Sequence, residues 1–130
     1  MEHAIPDVLN NEVNEAVLAH VRDRSAHSDV ADALAGAVAP LGDVQTFCPD
    51  AVRYRYVVVA TRGVIFGLAA GMATVGFRLP SELKARALAT GAEDCMEAGP
   101  DWVLMTLFRD DWPEPDLRFW ARKAYVHARG

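Results

Sequence analysis

The sequence predicts an α+β fold with elements in the order ααβββαβα, and three observations predict it. Apolar residues recur at helical spacing through the first fifty residues. The period then drops to two between residues 52 and 79, where β-branched and aromatic residues concentrate. A helical stripe returns over the last fourteen residues.

In the first helix Leu9, Val13, Ala16, Val17 and Val21 share a face, with Asn10 or Asn11 available as N-cap. The second opens at Ser28 or Asp29, carries Val30, Leu34 and Val38 on one side, and stops at Pro40 and Gly42. Val52 to Ala60 alternates Arg53 and Arg55 with Tyr54, Tyr56 and Val58, and reads as a strand. Thr61-Arg62-Gly63 is a turn into a second strand, Val64 to Ala69. Ala70-Gly71 turns into a third, Met72 to Leu79. Connections this short make the three an antiparallel meander. A helix starts at Pro80-Ser81-Glu82 and ends near Gly91. After an acidic loop from Ala92 to Asp101 comes an apolar strand, Trp102 to Phe108, whose continuity implies a central place in the sheet. The last helix opens between Asp111 and Asp116. Its stripe is Leu117, Trp120, Ala121, Ala124, Tyr125 and Ala128, and its bases gather toward the C-terminal end.

The chain has 130 residues, 52% of them hydrophobic and 24% charged, which is a globular mix and excludes a disordered chain. It reads as a single domain over residues 1–130, with a helical part over 1–50 and an α+β core over 51–130. The longest uncharged stretch, Gly63 to Phe77, is fifteen residues and is broken by glycines. It is too short to span a bilayer, and no membrane partner is expected. The N-terminus lacks the basic and apolar regions of a signal peptide, and two distant cysteines do not make a disulfide framework, so the expected location is cytoplasmic.

The net charge of −5 conceals alternating blocks. Residues 1–50 hold nine acids and two arginines; residues 51–92 hold one acid and six bases. Residues 93–116 hold eight acids and one arginine, and residues 117–130 hold four bases and no acid. Such blocks either cancel within the fold or separate into faces.

Gly63-Val64-Ile65-Phe66-Gly67-Leu68-Ala69, the run Ala73 to Pro80, Trp102-Val103, and the closing segment Leu117 to Ala128 with Trp120 and Tyr125 together resemble the small bacterial domains grouped as the YjbR-type family and the TfoX N-terminal domain. The likeness covers residues 52–128. It implies a shared α+β core without a catalytic motif, for which DNA binding has been proposed.

His3, His20, His27 and His127 form no ligand spacing and read as solvated or capping; no metal or cofactor is expected. Glu93, Asp94 and Glu97 surround Cys95 with negative charge, which disfavours a thiolate, and Cys48 has no base beside it. Both read as inert cysteines rather than nucleophiles. The acids from Glu93 to Asp116 do not follow a calcium-loop pattern. No catalytic constellation emerges, and the chain reads as a non-enzyme.

Three surfaces are left. Trp112, Phe119, Trp120 and Tyr125 cluster around the last helix and offer a protein-interaction or self-association surface, with a homodimer as the simplest product. Arg53, Arg55 and Arg78 fall on the less apolar face of the meander. With Arg118, Arg122 and Lys123 they offer phosphate or anion binding, the basis of a nucleic-acid alternative. Tyr56, Gly67, Gly71, Thr74 and Gly76 offer a small-ligand pocket on the sheet. A non-enzymatic interaction module is the first expectation.

Overall fold

A computed structural model describes residues 5–49, 55–111 and 113–130. The expected α+β class is what it shows. Two 3₁₀ turns, Asp7–Leu9 and Glu12–Asn14, lead into α1 (Glu15–Val21), followed by α2 (Ser28–Val38). Strands β1 (Gln45–Phe47), β2 (Val57–Thr61), β3 (Val64–Ala70) and β4 (Thr74–Arg78) come next, then α3 (Ser81–Ala89), β5 (Glu93–Asp94), β6 (Trp102–Thr106) and α4 (Leu117–Arg129). The sheet order is β1-β2-β3-β4-β6-β5, antiparallel at every pairing.

The meander is present, but the sheet has six strands rather than four. The two additions are the short edge strands β1 and β5, each too brief for a period-two pattern to register. Short edge strands also blunt the sheet against strand addition. The strand expected from Val52 is described from Val57, with Arg55 in an isolated bridge to Ser25; residues 51–54 lie outside the described residues. The first helix starts later than its apolar spacing suggests, because the chain enters it through the 3₁₀ turns. The cap of α2 is His27, whose ring Nδ1 accepts the Asp29 N–H at 3.1 Å. The last helix starts at Leu117, where the Asp116 carboxylate accepts the Phe119 N–H at 3.2 Å.

Alternation along β2 and β3 sends side chains into two separate cores, one on each sheet face. On the first face Val57, Val59, Phe66, Val75, Phe77, Val103 and Met105 pack with Val30 and Leu34 of α2, Ala87 of α3, and Trp120, Ala121 and Ala124 of α4. On the second, Val58, Ile65, Leu68 and Trp102 pack with Leu9, Val17 and Val21 of the N-terminal segment, together with Cys95 and Ala98 of the loop before β6. The N-terminal helices therefore belong to both cores.

The β2–β3 turn holds Arg62 at φ 51° and Gly63 at φ 77°, the two positive values a type I′ hairpin needs. A bulge shifts the register of this pair between Val59 and Ala60, leaving Phe66 unpaired against β2. Gly67 follows the bulge, and a Cβ there would stand 2.8 Å from Val59 Cγ2, on a buried, stiff side chain. Gly36 on α2 is different: a Cβ there meets nothing within 4 Å. Gly67→Ala is expected to lose about 1–3 kcal/mol through overpacking. Gly36→Ala should gain about 0.5–1 kcal/mol from helix propensity. Urea denaturation reads both, and equal midpoints for the two variants would contradict this packing.

Candidate functional site

The cationic residues do not share one surface. Arg55 lies at the start of β2 and donates to the Arg22 carbonyl at 2.9 Å. Arg78 lies at the opposite end of the sheet, 3.4 Å from Asp101, a carboxylate that His127 also approaches at 3.5 Å. The expectation that these two flank a common face is corrected by strand direction, because β2 and β4 run the same way and the residues sit at opposite ends of them. Arg53 lies outside the described residues.

Arg118, Arg122 and Lys123 do come together, on the outer side of α4. Arg86 of α3, which the sequence reading did not select, joins them. The guanidinium of Arg86 is 5.9 Å and the ammonium of Lys123 is 5.5 Å from the centre of the half-buried Phe119 ring. Among the described residues none of these four cations forms an ion pair. Asp116 borders the patch, but its carboxylate is engaged in capping α4. The ring of Phe119 in turn meets Trp120 edge-on at 4.9 Å, which fixes its position.

The other aromatic candidates are structural. Trp120 is buried in the first core. Tyr125 meets Phe66 edge-on, donates to the Gly42 carbonyl at 2.6 Å and lies under Arg129. Each belongs to the fold because the helix stripe faces the sheet; Phe119 packs against the edge of the first core and also borders the cations. Trp112 lies outside the described residues. A cleft of about 330 Å³ opens at the start of α4, lined by Met105, Arg109, Glu114 and Trp120. Here Arg109 bonds the Asp111 side chain and holds its carboxyl below the ordinary range. Glu114 accepts the Phe108 N–H at 2.5 Å.

The pocket expected on the sheet is only partly assembled. Gly71 and Thr74 line a groove of about 380 Å³ on the second face, with His20, Arg24, Ser25, Leu68 and Leu104. Gly67 faces the first core instead. Leu68 and Leu104 close over Gly76, where a Cβ would meet them at 2.9 and 3.0 Å. Tyr56 is buried in the second core, and burial pushes its hydroxyl above the ordinary tyrosine range.

At one wall of this groove the His20 side chain, 5% exposed, is neither solvated nor a cap. Its Nε2 lies 3.8 Å from Cys95 Sγ, and its Nδ1 lies 3.3 Å from Glu97 Oε2. Arg24 approaches the same carboxylate oxygen at 3.8 Å. Seventy-five residues separate His20 from Cys95, so nothing in the sequence signals the contact. Cys48 is also buried, but its thiol donates to the Arg55 carbonyl at 3.5 Å. Among the described residues no three His, Cys, Asp or Glu side chains converge on a metal position, and no helix is long and apolar enough to cross a membrane.

These features define a small α+β protein whose antiparallel sheet carries a separate core on each face. No protein-family model, curated protein or solved structure matches the chain.

Proposed function

We propose that the protein is a non-enzymatic interaction module that associates with further copies of itself through the basic face of α4. The observation that carries this reading is the cluster of Arg86, Arg118, Arg122 and Lys123 around Phe119, none of which pairs with an acid among the described residues, in a chain of net charge −5. A complementary surface exists on the same chain. Asp7, Glu12, Glu15 and Asp23 are exposed on the segment that covers the opposite sheet face, with Arg22 among them, and none of the four acids forms an ion pair among the described residues. Opposite charges on opposite faces favour head-to-tail contact, which builds rings or open chains rather than a two-fold dimer.

The magnitude is modest. Four exposed ion pairs contribute about 1–4 kcal/mol together. Partial burial of Phe119 adds to this, for a dissociation constant of about 1 mM. Light scattering at about 20 mM salt should therefore give a mean mass that climbs above 14.2 kDa with concentration. It should return to the monomer value at about 300 mM salt. The triple variant R118E/R122E/K123E should stay monomeric throughout. A wild-type monomer at low salt up to millimolar concentration would overturn the reading. Tight, steeply salt-dependent binding of duplex DNA would replace it with the nucleic-acid alternative.

A further inference from the structure

We propose that Cys95 is a nucleophilic thiol that takes an acyl group from a small activated ester or thioester, with His20 as its base and Glu97 as a positioning residue. Cys95 Sγ, the two ring nitrogens of His20 and Glu97 Oε2 form a single line of contacts, at 3.8 Å and 3.3 Å. That is the order nucleophile, base, orienting carboxylate, in which the third group fixes the ring so that the near nitrogen faces the sulfur. Two of the three carboxylates that made Cys95 look inert in the sequence are engaged elsewhere. Asp94 is held by Lys84 at 2.7 Å, and Glu97 reaches the far side of the imidazole rather than the thiol.

The groove adjoins the relay at His20, which lines it and contacts Cys95, while Cys95 itself lies behind the lining. His20 is one wall, and Leu68 and Leu104 form an apolar floor that packs with the same second core as Cys95. Arg24, Ser25 and Thr74 give its rim polar groups. Its volume of about 380 Å³ suits a small molecule. At 5% exposure Cys95 excludes bulky reagents, which restricts the donor to a small one.

In the step proposed, Sγ bonds to the acyl carbon and the bond from that carbon to its leaving group breaks. The thiol proton passes to His20 Nε2 and then to the leaving group. The products are a thioester on Cys95 and the protonated leaving group, with no oxidant or reductant required. The charged groups around the relay are Glu97 and Arg24, Asp23 on the groove wall, and the Lys84–Asp94 pair at the adjoining sheet edge.

The full chain is mixed with p-nitrophenyl acetate near neutral pH, and acetylated sites are located by mass spectrometry. Cys48 is the internal control, being buried without a base. The expected result is a stoichiometric release of p-nitrophenolate with the acetyl group on Cys95 and not on Cys48, abolished by Cys95→Ser. His20→Gln should slow the release about a hundredfold. That residue is buried, so Glu97→Gln, on an exposed side chain, is the second variant. It should keep the wild-type melting temperature while lowering the plateau rate of acetylation and moving the acid limb of its pH profile to lower pH, because the imidazolium loses its neighbouring negative charge. Equal labelling of Cys48 and Cys95, or an unchanged profile in Glu97→Gln, would overturn the proposal. The self-association experiment is independent of both outcomes.

Discussion

A fragment beginning at Pro49 is expected not to fold. It would lack α1, α2 and β1, and with them residues from both cores. The first core would lose Val30, Leu34, Val38, Ala31 and Ala37, and the second would lose Leu9, Val17, Val21 and Phe47. Fully burying a large aliphatic or aromatic side chain stabilises a fold by about 1.5–3 kcal/mol. Seven such losses come to about 10–20 kcal/mol, more than the 5–15 kcal/mol typical of a whole domain. Removal would also strip the N-terminal cover from the second face of the β2–β3 hairpin and leave α4 without α2 beside it on the first. Circular dichroism and a urea titration of residues 49–130 should show no cooperative transition. A sigmoidal transition with native-like strand content would mean that the helices are accessories and that the two-core description is wrong.

Asn14→Ala is expected to destabilise the protein by about 3 kcal/mol. Asn14 is fully buried and ties the N-terminal segment to the tip of the hairpin. Its Oδ1 accepts the Ile65 N–H at 2.9 Å, and its Nδ2 donates to the Leu9 and Gly63 carbonyls, each at 2.9 Å. Those two carbonyls keep other donors, Asn11 N–H for Leu9 and Asn11 Nδ2 for Gly63. The Ile65 N–H does not, so truncation leaves a buried donor unpaired beside a small cavity. Asn14→Asp would preserve the acceptor but set a carboxylate against two carbonyl oxygens. It should therefore be destabilising near neutral pH, and less so once the pH falls far enough to protonate it. Shifts in the urea midpoint measure both. A loss under about 0.5 kcal/mol for the alanine variant, the size of an ordinary surface change, would contradict the role assigned to Asn14.

What could be read in the sequence divides by the range of the interaction. The meander, its Arg62-Gly63 turn, α2, α3 and the α4 stripe are local patterns, and each appears close to its expected bounds apart from the first meander strand, which is described from Val57. The edge strands β1 and β5 exist because longer neighbours pair with them, at Gln45 to Phe47 against β2 and at Glu93-Asp94 against β6. Two or three residues carry no period of their own. Asn14 shows the same limit. In sequence it belongs to the polar side of a helix, and its partner Ile65 N–H is fifty-one residues away. The candidate site follows suit. Arg118, Phe119, Arg122 and Lys123 lie within one and a half turns of one helix, so their grouping was legible. Arg86 reaches that patch only through the packing of α3 beside α4, and His20 reaches Cys95 only through the packing of α1 on the sheet. Arg55 and Arg78 show the converse error. Alternation assigns a sheet face but not a sheet end.

The central functional claim is that the basic face of α4 receives the acidic N-terminal face of another copy, and exchanging charges between the two faces tests it most directly. One variant carries Arg118→Glu, Arg122→Glu and Lys123→Glu. The other carries Glu12→Lys, Glu15→Lys and Asp23→Lys. Sedimentation velocity at low salt should find each alone to be monomeric, since each then presents two faces of one sign. Their equimolar mixture should sediment as larger species that dissociate as salt rises. A mixture that sediments as the sum of its two monomers, while the wild-type protein associates, would show that these faces do not meet.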